Sequence, residues 1–438
     1  MGFQQALDEG RVTRNQLTLL AICFALNMVD GYDVLSIAFA ATPLTESWGL
    51  KADALGILMS SGVLGMTLGA MFLAPLTGSI GRRVMIIAAV LLMGLSMVLS
   101  AKATQIHELV VLRVMTGLGT GAMLASLTTL ISEFFPSRHR NVAIGITLAG
   151  YPIGATLGGL LAARLIPEYG WQSVFLAGGI ATLVLLPVVV FQLPESVQFL
   201  LRRRPRDFRQ KATKIVEKLQ LAFVLDTPGD LPNQERVAVT SLLGADYKKL
   251  TLLIWSGFFL TFGTLYFLLS WIPKLLVDSG MELSTAIYAS ASFNLAGALG
   301  NIGIGAFSNR FGLARGIVAF ALFAAISMGA LAISSAGDLM LLGIAAMIGF
   351  FQQGTLIGFY ILSARAYPSD FRTTGIGWGI GLGRMGAVVA PYAGGLMVLN
   401  GVSMQTLFLL YATPTLAAGI IGHIACRLFL PAENQTSP

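Results

Sequence analysis

Two aspartates stand three residues apart in an apolar stretch of the chain, in the segment NMVDGYDVLS at residues 27 to 36. Asp30 and Asp33 lie within a hydrophobic run from about residue 17 to residue 41. A charged side chain at the bilayer centre costs on the order of a few kcal/mol unless a cation, a proton or a polar cavity compensates it. The i, i+3 spacing places both carboxylates on one helix face. Such a pair is typical of a site that binds and releases protons.

One arginine, Arg113, lies in another apolar run at a depth that would let it meet this pair. At about 1.5 Å per residue, Asp30 falls near the midplane, Asp33 slightly outside it, and Arg113 roughly 10 Å outside it. Two interpretations stay open. The three residues form a static ion pair, or they form a proton-coupling site in which a moving partner changes the proton affinity of the carboxylates.

A second intramembrane arginine, Arg384, falls about 18 Å from the cytoplasmic end of its run, close to the midplane. Its planar guanidinium suits a carboxylate, so we expect it to bind an anionic substrate, with a gating or structural pair as the alternative. Gln352, Gln353 and Trp378 fall at a similar depth and are candidates to hydrogen-bond or stack on a planar ring. For each of these three, plain packing between helices is the competing interpretation.

The elements that must position these residues are membrane-spanning helices. Of the 438 residues, 55% are hydrophobic and only 11% are charged, and the mean hydropathy is +0.77. These values exclude an ordinary soluble protein of this length. Runs of about 20 apolar residues, enough to cross about 30 Å of hydrocarbon, recur along the chain. We predict an all-α membrane protein with twelve transmembrane helices, at 17–41, 54–76, 84–103, 106–134, 139–165, 172–193, 249–277, 284–308, 313–335, 338–366, 372–400 and 403–428.

The distribution of basic residues sets the expected orientation. With a cytoplasmic N-terminus, only four of the 28 Lys and Arg residues fall in external segments, namely Lys51, Lys102, Arg164 and Lys274. This positive-inside bias predicts that both termini are cytoplasmic. It also accounts for the net charge of +7 without a nucleic-acid partner. The first 14 residues lack the features of a signal peptide.

The predicted spans form two sets of six, joined by a long polar segment. We predict an N-terminal bundle at 1–193, a basic cytoplasmic linker at 194–248 and a C-terminal bundle at 249–438. A shift of 232 residues lays EFFPSRHRNVAIG over RAYPSDFRTTGIG, which indicates an internal duplication. Glycines and loop residues repeat, whereas Asp30, Arg113 and Arg384 occur once. The architecture that both halves share explains the repeated glycines and loop residues. The charged residues that occur in only one half are therefore the better candidates for function.

Neither a metal centre nor an enzyme active site is predicted. Cys23 and Cys426 fall in predicted helices at opposite ends of the chain, so no disulfide framework is indicated. The histidines His107, His139 and His423 have no partners at ligand spacing. No nucleophile with a base is visible, and we expect neither enzymatic activity nor a cofactor.

Short loop motifs carry a family resemblance. The stretch APLTGSIGRR at 74–83 follows the second span, and its twin GAFSNRFGLAR at 305–315 follows the eighth. Both resemble the glycine, aspartate and arginine signature of the major facilitator superfamily. Within it, DGYD in the first span, together with Arg113, EFFPSRHR and Arg384, resembles the aromatic acid:proton symporter family.

The resemblance implies a fold, a function and a location. The fold is two pseudo-symmetric six-helix bundles that work by alternating access. The function is a proton-coupled symporter that imports small aromatic carboxylates, with protons, these anions and the lipid bilayer as partners, in the cell inner membrane. A proton-coupled antiporter or exporter of drugs or other metabolites is the alternative within the same fold. A sensor built on a transporter scaffold is the alternative outside transport.

The loop signature departs from the family at one position in each half. Gly78 and Asn309 replace its aspartate, which in the superfamily helps to lock the cytoplasmic side in the outward-facing state. Glu133 is a candidate to replace this charge by pairing with Arg82 or Arg140, and a plain interfacial carboxylate is the competing interpretation. We place these three residues in a cytoplasmic gate, together with Arg372, which the repeat aligns with Arg140.

Overall fold

The computed structural model describes residues 3–203, 207–219, 239–244, 247–333, 338–367 and 369–430. All regular elements within these ranges are helices. The helices are α1 Phe3–Glu9, α2 Arg14–Trp48, α3 Ala52–Ile80, α4 Arg82–Ser100, α5 Ile106–Phe134, α6 Ser137–Tyr169, α7 Gln172–Gln192, α8 Val197–Arg203, α9 Phe208–Lys218, α10 Val239–Leu242, α11 Lys248–Asp278, α12 Leu283–Phe311, α13 Leu313–Ile333, α14 Asp338–Ala366, α15 Ser369–Leu399 and α16 Met404–Phe429.

Each of the twelve predicted spans corresponds to one long helix. Eleven helices in the described ranges are long and apolar enough to cross a membrane. The remaining long helix is α12, which matches the predicted eighth span but carries several polar side chains. Ser290 and Asn294 on this helix are buried inside the protein. The fold class predicted from the apolar runs is confirmed.

Two loops that carry the family motif end in the same way. After a short helical turn at Thr77–Ile80, the chain reaches Gly81 with φ +99° before α4 begins. Between α12 and α13, Gly312 has φ +88°. A side chain is strained in this left-handed region, so glycine lets each helix stop within one residue of the next. The loops are therefore tight connections rather than extended segments.

The internal duplication is visible in how helix backbones approach each other. A Cβ on Gly154 of α6 would overlap the backbone of Met28 on α2. A Cβ on Gly386 of α15, its partner in the repeat, would overlap the backbone of Phe259 on α11. Small residues permit such close helix crossings in membranes. The same crossing is thus built in both halves of the sequence.

The described residues fall into two compact units. One comprises Met1–Val34, Leu64–Gly154 and Phe175–Gln234, and the other comprises Leu35–Val63, Ala155–Val174 and Glu235–Pro438. Parts of α2, α3 and α6 therefore pack with the C-terminal half of the sequence. Within this second unit, a Cβ on Gly395 of α15 would overlap the backbone of Ala52 on α3. The domain boundaries at 193 and 248 stay a prediction.

Candidate functional site

The first group of candidate residues lies in the first unit, around α2 and α5. Asp30, Asp33 and Arg113 are almost fully buried, with 1, 1 and 2% of each residue exposed. Arg113 Nη1 donates to Asp33 Oδ1 at 2.7 Å, and Nη2 donates to Oδ2 at 3.2 Å. Nη2 also donates to the backbone oxygen of Asp33 at 3.0 Å. The ion pair is bidentate, the arrangement in which guanidinium and carboxylate geometry match best.

An aromatic ring supports the guanidinium from another helix. The Cζ atom of Arg113 lies 5.8 Å from the ring centroid of Phe175 on α7, a cation–π distance. Removing one partner from a buried ion pair costs about 3 to 5 kcal/mol, because it leaves an uncompensated charge. Loss of either partner alone would therefore weaken the packing of α2 on α5, whatever the role of the pair in transport.

Between the two aspartates, Gly31 faces a helix backbone. A Cβ on Gly31 would overlap the carbonyl of Tyr151 on α6, and Gly150 is similarly close to the backbone of Phe24. The DGYD segment is thus the point at which α2 and α6 cross. Glycine is required there because the two backbones touch. Asp30 and Asp33 flank this crossing, so their positions depend on it.

The second group surrounds Arg384 in the second unit. Phe258, Phe262 and Tyr266 follow each other at four-residue spacing on one face of α11. The ring centroids of Phe258 and Phe262 are 6.1 Å apart, and those of Phe262 and Tyr266 are 6.3 Å apart. Tyr360 of α14 meets the Phe258 ring edge-on at 5.0 Å. Gly383, the residue before Arg384 on α15, packs against Phe262, which brings Arg384 to this aromatic stripe.

Glycines bring α15, which carries Arg384, close to the stripe. A Cβ on Gly379 would press on Phe258, and one on Gly383 would press on Phe262. The aromatic rings occupy the space that side chains at these glycines would need. The position of Arg384 therefore depends on the packing of α15 on α11.

The three weaker candidates for substrate binding have different surroundings. Gln352 is fully buried, donates to the Thr261 oxygen at 3.2 Å and accepts from Thr415 Oγ1 at 3.0 Å. Its amide thus already links α14 to α11 and α16. Gln353 packs against Gly297 of α12. Trp378 stacks on Trp255 with centroids 6.2 Å apart and is 43% exposed. Their roles in binding stay predictions.

Of the proposed gate residues, Arg82 lies at the start of α4, Glu133 at the end of α5 and Arg140 at the start of α6. Arg82 Nη2 donates to Glu133 Oε1 at 2.9 Å, the pairing that the sequence offered as one of two options. Arg140, the other option, forms no ion pair with any residue in the described ranges. The side chain of Arg372 lies outside the described part of the chain.

A further carboxylate, Glu195, was not predicted from the sequence. Its Oε1 accepts from the backbone N–H groups of Arg82 at 2.8 Å and Arg83 at 3.2 Å, at the N-terminus of α4. A carboxylate there satisfies backbone donors and complements the positive end of the helix dipole. The sequence does not single out Glu195, because it lies in a short connection after the sixth predicted span and outside any motif. Glu195 joins the linker to the loop that carries the family motif.

Tyr266 and Tyr360 were also outside the predicted site. In the sequence, nothing distinguishes Tyr360 from a tyrosine that only packs between helices. Its place beside the aromatic stripe is visible only from the packing of α14 on α11. No group of three or more His, Cys, Asp or Glu side chains that could hold a metal ion is found in the part of the chain that was described.

Comparisons with known proteins agree with this architecture. The profile of the Major Facilitator Superfamily matches residues 20–333 and 254–438. The chain is 34% identical to a gallate transporter of Pseudomonas putida, over 96% of this chain and 95% of that protein. It is 32% identical to the 4-hydroxybenzoate transporter PcaK of Pseudomonas aeruginosa, over 93% of each. A benzoate transport protein of Acinetobacter baylyi is 27% identical, over 90% of this chain and 86% of that protein.

Solved structures share the fold at low sequence identity. A bacterial homologue of the human lysosomal transporter Spinster superposes with a TM-score of 0.75 at 16% identity, over 97% of this chain and 99% of that chain. The xylose transporter XylE of Escherichia coli gives a TM-score of 0.73 at 17% identity, over 96% and 97%. These structural matches confirm the fold, and the profile match together with the curated relatives confirms the family resemblance predicted from the loop motifs.

Proposed function

Because the chain belongs to the Major Facilitator Superfamily and is a multi-pass membrane transporter rather than an enzyme, we propose that it imports small aromatic carboxylates together with protons. Three relatives that match nearly the whole chain are named for gallate, 4-hydroxybenzoate and benzoate. Each of these compounds is an aromatic ring that bears a carboxylate. The substrate of this chain is proposed to be of the same class.

The observation that carries the proposal is the surroundings of Arg384. A guanidinium beside Tyr360 and the aromatic stripe of α11 offers a charge for a carboxylate and rings for a planar partner. Arginine holds a carboxylate through two parallel hydrogen bonds, and aromatic faces stack on an aromatic ligand. Gln353 and Trp378 are proposed to contribute to the same site. Gln352 would have to exchange its present hydrogen bonds to take part.

Proton coupling is proposed to use Asp30, Asp33 and Arg113. Aromatic carboxylic acids have pKa values of about 4, so the substrate is an anion at neutral pH. An inside-negative potential opposes its entry by about 2.3 kcal/mol per 100 mV for each charge. One cotransported proton makes the import of a monoanion electroneutral. A buried carboxylate pair beside an arginine is a suitable carrier for that proton.

Alternating access of two bundles is the proposed mechanism, with the protein in the cell inner membrane and both termini in the cytoplasm. Arg82, Glu133, Arg140 and Arg372 are proposed to control the cytoplasmic side. The pair between Arg82 and Glu133 supports this for the first half of the chain. It fixes the motif loop to α5, so a change at this pair would alter how the loop moves.

Uptake into proteoliposomes tests the proposal. Purified protein is reconstituted, and radiolabelled 4-hydroxybenzoate, benzoate and gallate are supplied with an acidic outside, with no gradient and with an acidic inside. We expect accumulation of at least one acid only with the acidic outside. Accumulation driven by the acidic inside would favour an antiporter, and no movement of any of these acids under any gradient would refute the substrate class.

A further inference from the structure

Tyr360 is half-buried and differs from the buried Tyr411 and Tyr367 in how its hydroxyl is used. The Tyr411 hydroxyl donates to the backbone oxygen of Ala390 at 2.5 Å, and the Tyr367 hydroxyl donates to Thr251 Oγ1 at 3.1 Å. Both are used inside the fold. Within the described ranges, no residue forms a hydrogen bond with the hydroxyl of Tyr360, although its ring is held edge-on by Phe258.

The position of Tyr360 relative to Arg384 gives this hydroxyl a function. Gly383, the residue before Arg384 on α15, packs against Phe262. Phe262 neighbours Phe258, and Phe258 contacts Tyr360, so Arg384 and Tyr360 adjoin the same stripe of rings. A ligand whose carboxylate pairs with Arg384 would lie against these rings. A polar substituent on that ligand would need a hydrogen-bonding partner beside them.

We propose that the hydroxyl of Tyr360 hydrogen-bonds a hydroxyl group on the ring of the substrate, so that Tyr360 selects hydroxylated aromatic acids over unsubstituted ones. This inference rests on the proposed function, because it assumes a carboxylate at Arg384. A phenol hydroxyl both donates and accepts, so it matches a ring hydroxyl in either direction. The edge-on contact with Phe258 fixes the tyrosine ring, which makes the hydroxyl a defined partner rather than a mobile one.

Sites built to hydrogen-bond a ligand hydroxyl discriminate strongly, because an analogue without the hydroxyl leaves a buried polar group unpaired. Tyr360→Phe removes the hydroxyl and keeps the ring against Phe258. Benzoate has no ring hydroxyl and should bind this variant as it binds the wild type. A hydroxylated acid should lose about tenfold in affinity, the usual value of one such hydrogen bond.

The experiment measures dissociation constants by calorimetry on the purified full chain in nanodiscs. The ligands are benzoate and 2-, 3- and 4-hydroxybenzoate, and the proteins are wild type, Tyr360→Phe, Tyr367→Phe and Arg384→Ala. Tyr367→Phe is the matched control, since it also removes one phenol hydroxyl from the C-terminal half. We expect Tyr360→Phe to weaken at least one hydroxybenzoate about tenfold with benzoate unchanged, and Tyr367→Phe to preserve the preference.

The outcomes separate this inference from the proposed function. If Tyr360→Phe weakens all four acids equally, or none of them, the selective role of Tyr360 is wrong while substrate binding at Arg384 stands. A wild type that binds benzoate as tightly as every hydroxybenzoate also overturns the selective role. If the wild type binds none of the four acids, or Arg384→Ala changes no affinity, the proposed function fails and this inference fails with it.

Discussion

Protonation of Asp33 would remove the anion that faces a fully buried guanidinium. Arg113 donates three hydrogen bonds to Asp33, one of them to the backbone oxygen, and the pair is enclosed by Phe175. Asp30 lies one turn away on the same helix face. Asp33 is therefore the counter-charge of Arg113 in this structure, and Asp30 is the carboxylate that we propose to exchange the proton.

Neutralising the two aspartates should have different consequences. Asp30→Asn and Asp33→Asn should both abolish uptake driven by a pH gradient, because the first removes the carboxylate proposed to exchange the proton and the second removes the counter-charge of Arg113. Asp33→Asn should also destabilise the protein by about 3 to 5 kcal/mol, since it leaves Arg113 unpaired. Thermal unfolding in detergent measures the stability, and exchange of internal for external substrate measures the remaining transport.

The control for this prediction is the double variant Asp33→Asn with Arg113→Gln. It removes both charges and should recover much of the lost stability without recovering uptake. An Asp33→Asn variant as stable as the wild type would show that leaving Arg113 without this partner has no cost. Full accumulation in either aspartate variant would exclude that aspartate from proton coupling.

Arg384 is expected to resist replacement by lysine. Arg384→Ala should weaken the binding of an aromatic acid by about 2 to 5 kcal/mol, because the carboxylate loses its buried partner. Arg384→Lys should recover only part of this loss, since an ammonium has no planar fork. Equilibrium binding to purified protein measures both. Benzamide, a neutral analogue of benzoate, should bind the wild type weakly and be nearly indifferent to the change.

A gating role for Arg384 predicts a different pattern. In that case Arg384→Ala would bind the acid with wild-type affinity and fail to move it. The comparison of binding with uptake in the same preparation therefore distinguishes the two roles. Benzamide affinity that falls as far as benzoate affinity would show that the variant has damaged the site as a whole.

At the scale of helices, the crossing of α2 and α6 sets the position of the acidic site. Gly31, Gly150 and Gly154 all lie where one backbone meets the other. Interiors are packed closely enough that one added methyl group is felt. A change at this crossing should therefore alter proton coupling without touching either aspartate.

Gly154→Ala should destabilise the protein by about 1 to 3 kcal/mol, because the new Cβ overlaps the backbone of Met28. Gly145→Ala is the matched control on the same helix, since a Cβ there meets open space. It should be neutral or stabilise the helix by up to about 1 kcal/mol. Thermal unfolding of the two variants tests this. Equal unfolding temperatures would mean that α2 and α6 can move apart to accept the new methyl group without a loss of stability.

The helices were predictable because a bilayer demands long apolar runs, and most ends fell within three residues of the prediction. The largest miss is α2, which continues past residue 41 to Trp48. Its last turns contain the polar residues Thr45, Glu46 and Ser47. A helix tolerates these residues, but a hydropathy pattern places the end of the apolar run before them. Within α3, the π-helical turn Gly69–Leu73 was also invisible in the sequence.

The candidate site was predictable only in part. The pairing of Arg113 with an aspartate followed from depth, because a helix rises by a fixed amount per residue. Glu195 and Tyr360 could not be found in this way. Glu195 reaches the N-terminus of α4 from a distant connection, and Tyr360 meets Phe258 across two helices. Contacts between segments far apart in sequence leave no periodic signal.

At the scale of the whole molecule, the proposed alternating access requires both access states to be populated, and we propose that the motif loop influences their balance. In this chain the loop lacks the carboxylate that the family signature carries, since Gly78 stands in its place. Two other carboxylates hold the loop region, Glu133 on the side chain of Arg82 and Glu195 on the first N–H groups of α4. Both of these partners belong to the same unit as the loop.

Gly78→Asp should shift the resting population toward the outward-facing state by adding a charge at the cytoplasmic side. A Cβ at Gly78 meets no atom within 4 Å, so the side chain can be accommodated without a clash. A carboxylate there would lie close to the start of α4, where the helix dipole favours a negative charge. A change of about 1.4 kcal/mol in the balance corresponds to a tenfold change in population.

The measurement is the rate at which a membrane-permeant thiol reagent labels single cysteines placed at the cytoplasmic ends of α5 and α15, after Cys23 and Cys426 are replaced by serine. Gly78→Asp should slow this labelling. Gly78→Asn is the matched control, because it has nearly the same shape without the charge and should label like the parent protein. Slower labelling in both variants would mean that the side chain blocks the entrance by its volume. Unchanged labelling in Gly78→Asp would show that Glu133 and Glu195 already hold the loop so firmly that a further carboxylate does not move the balance.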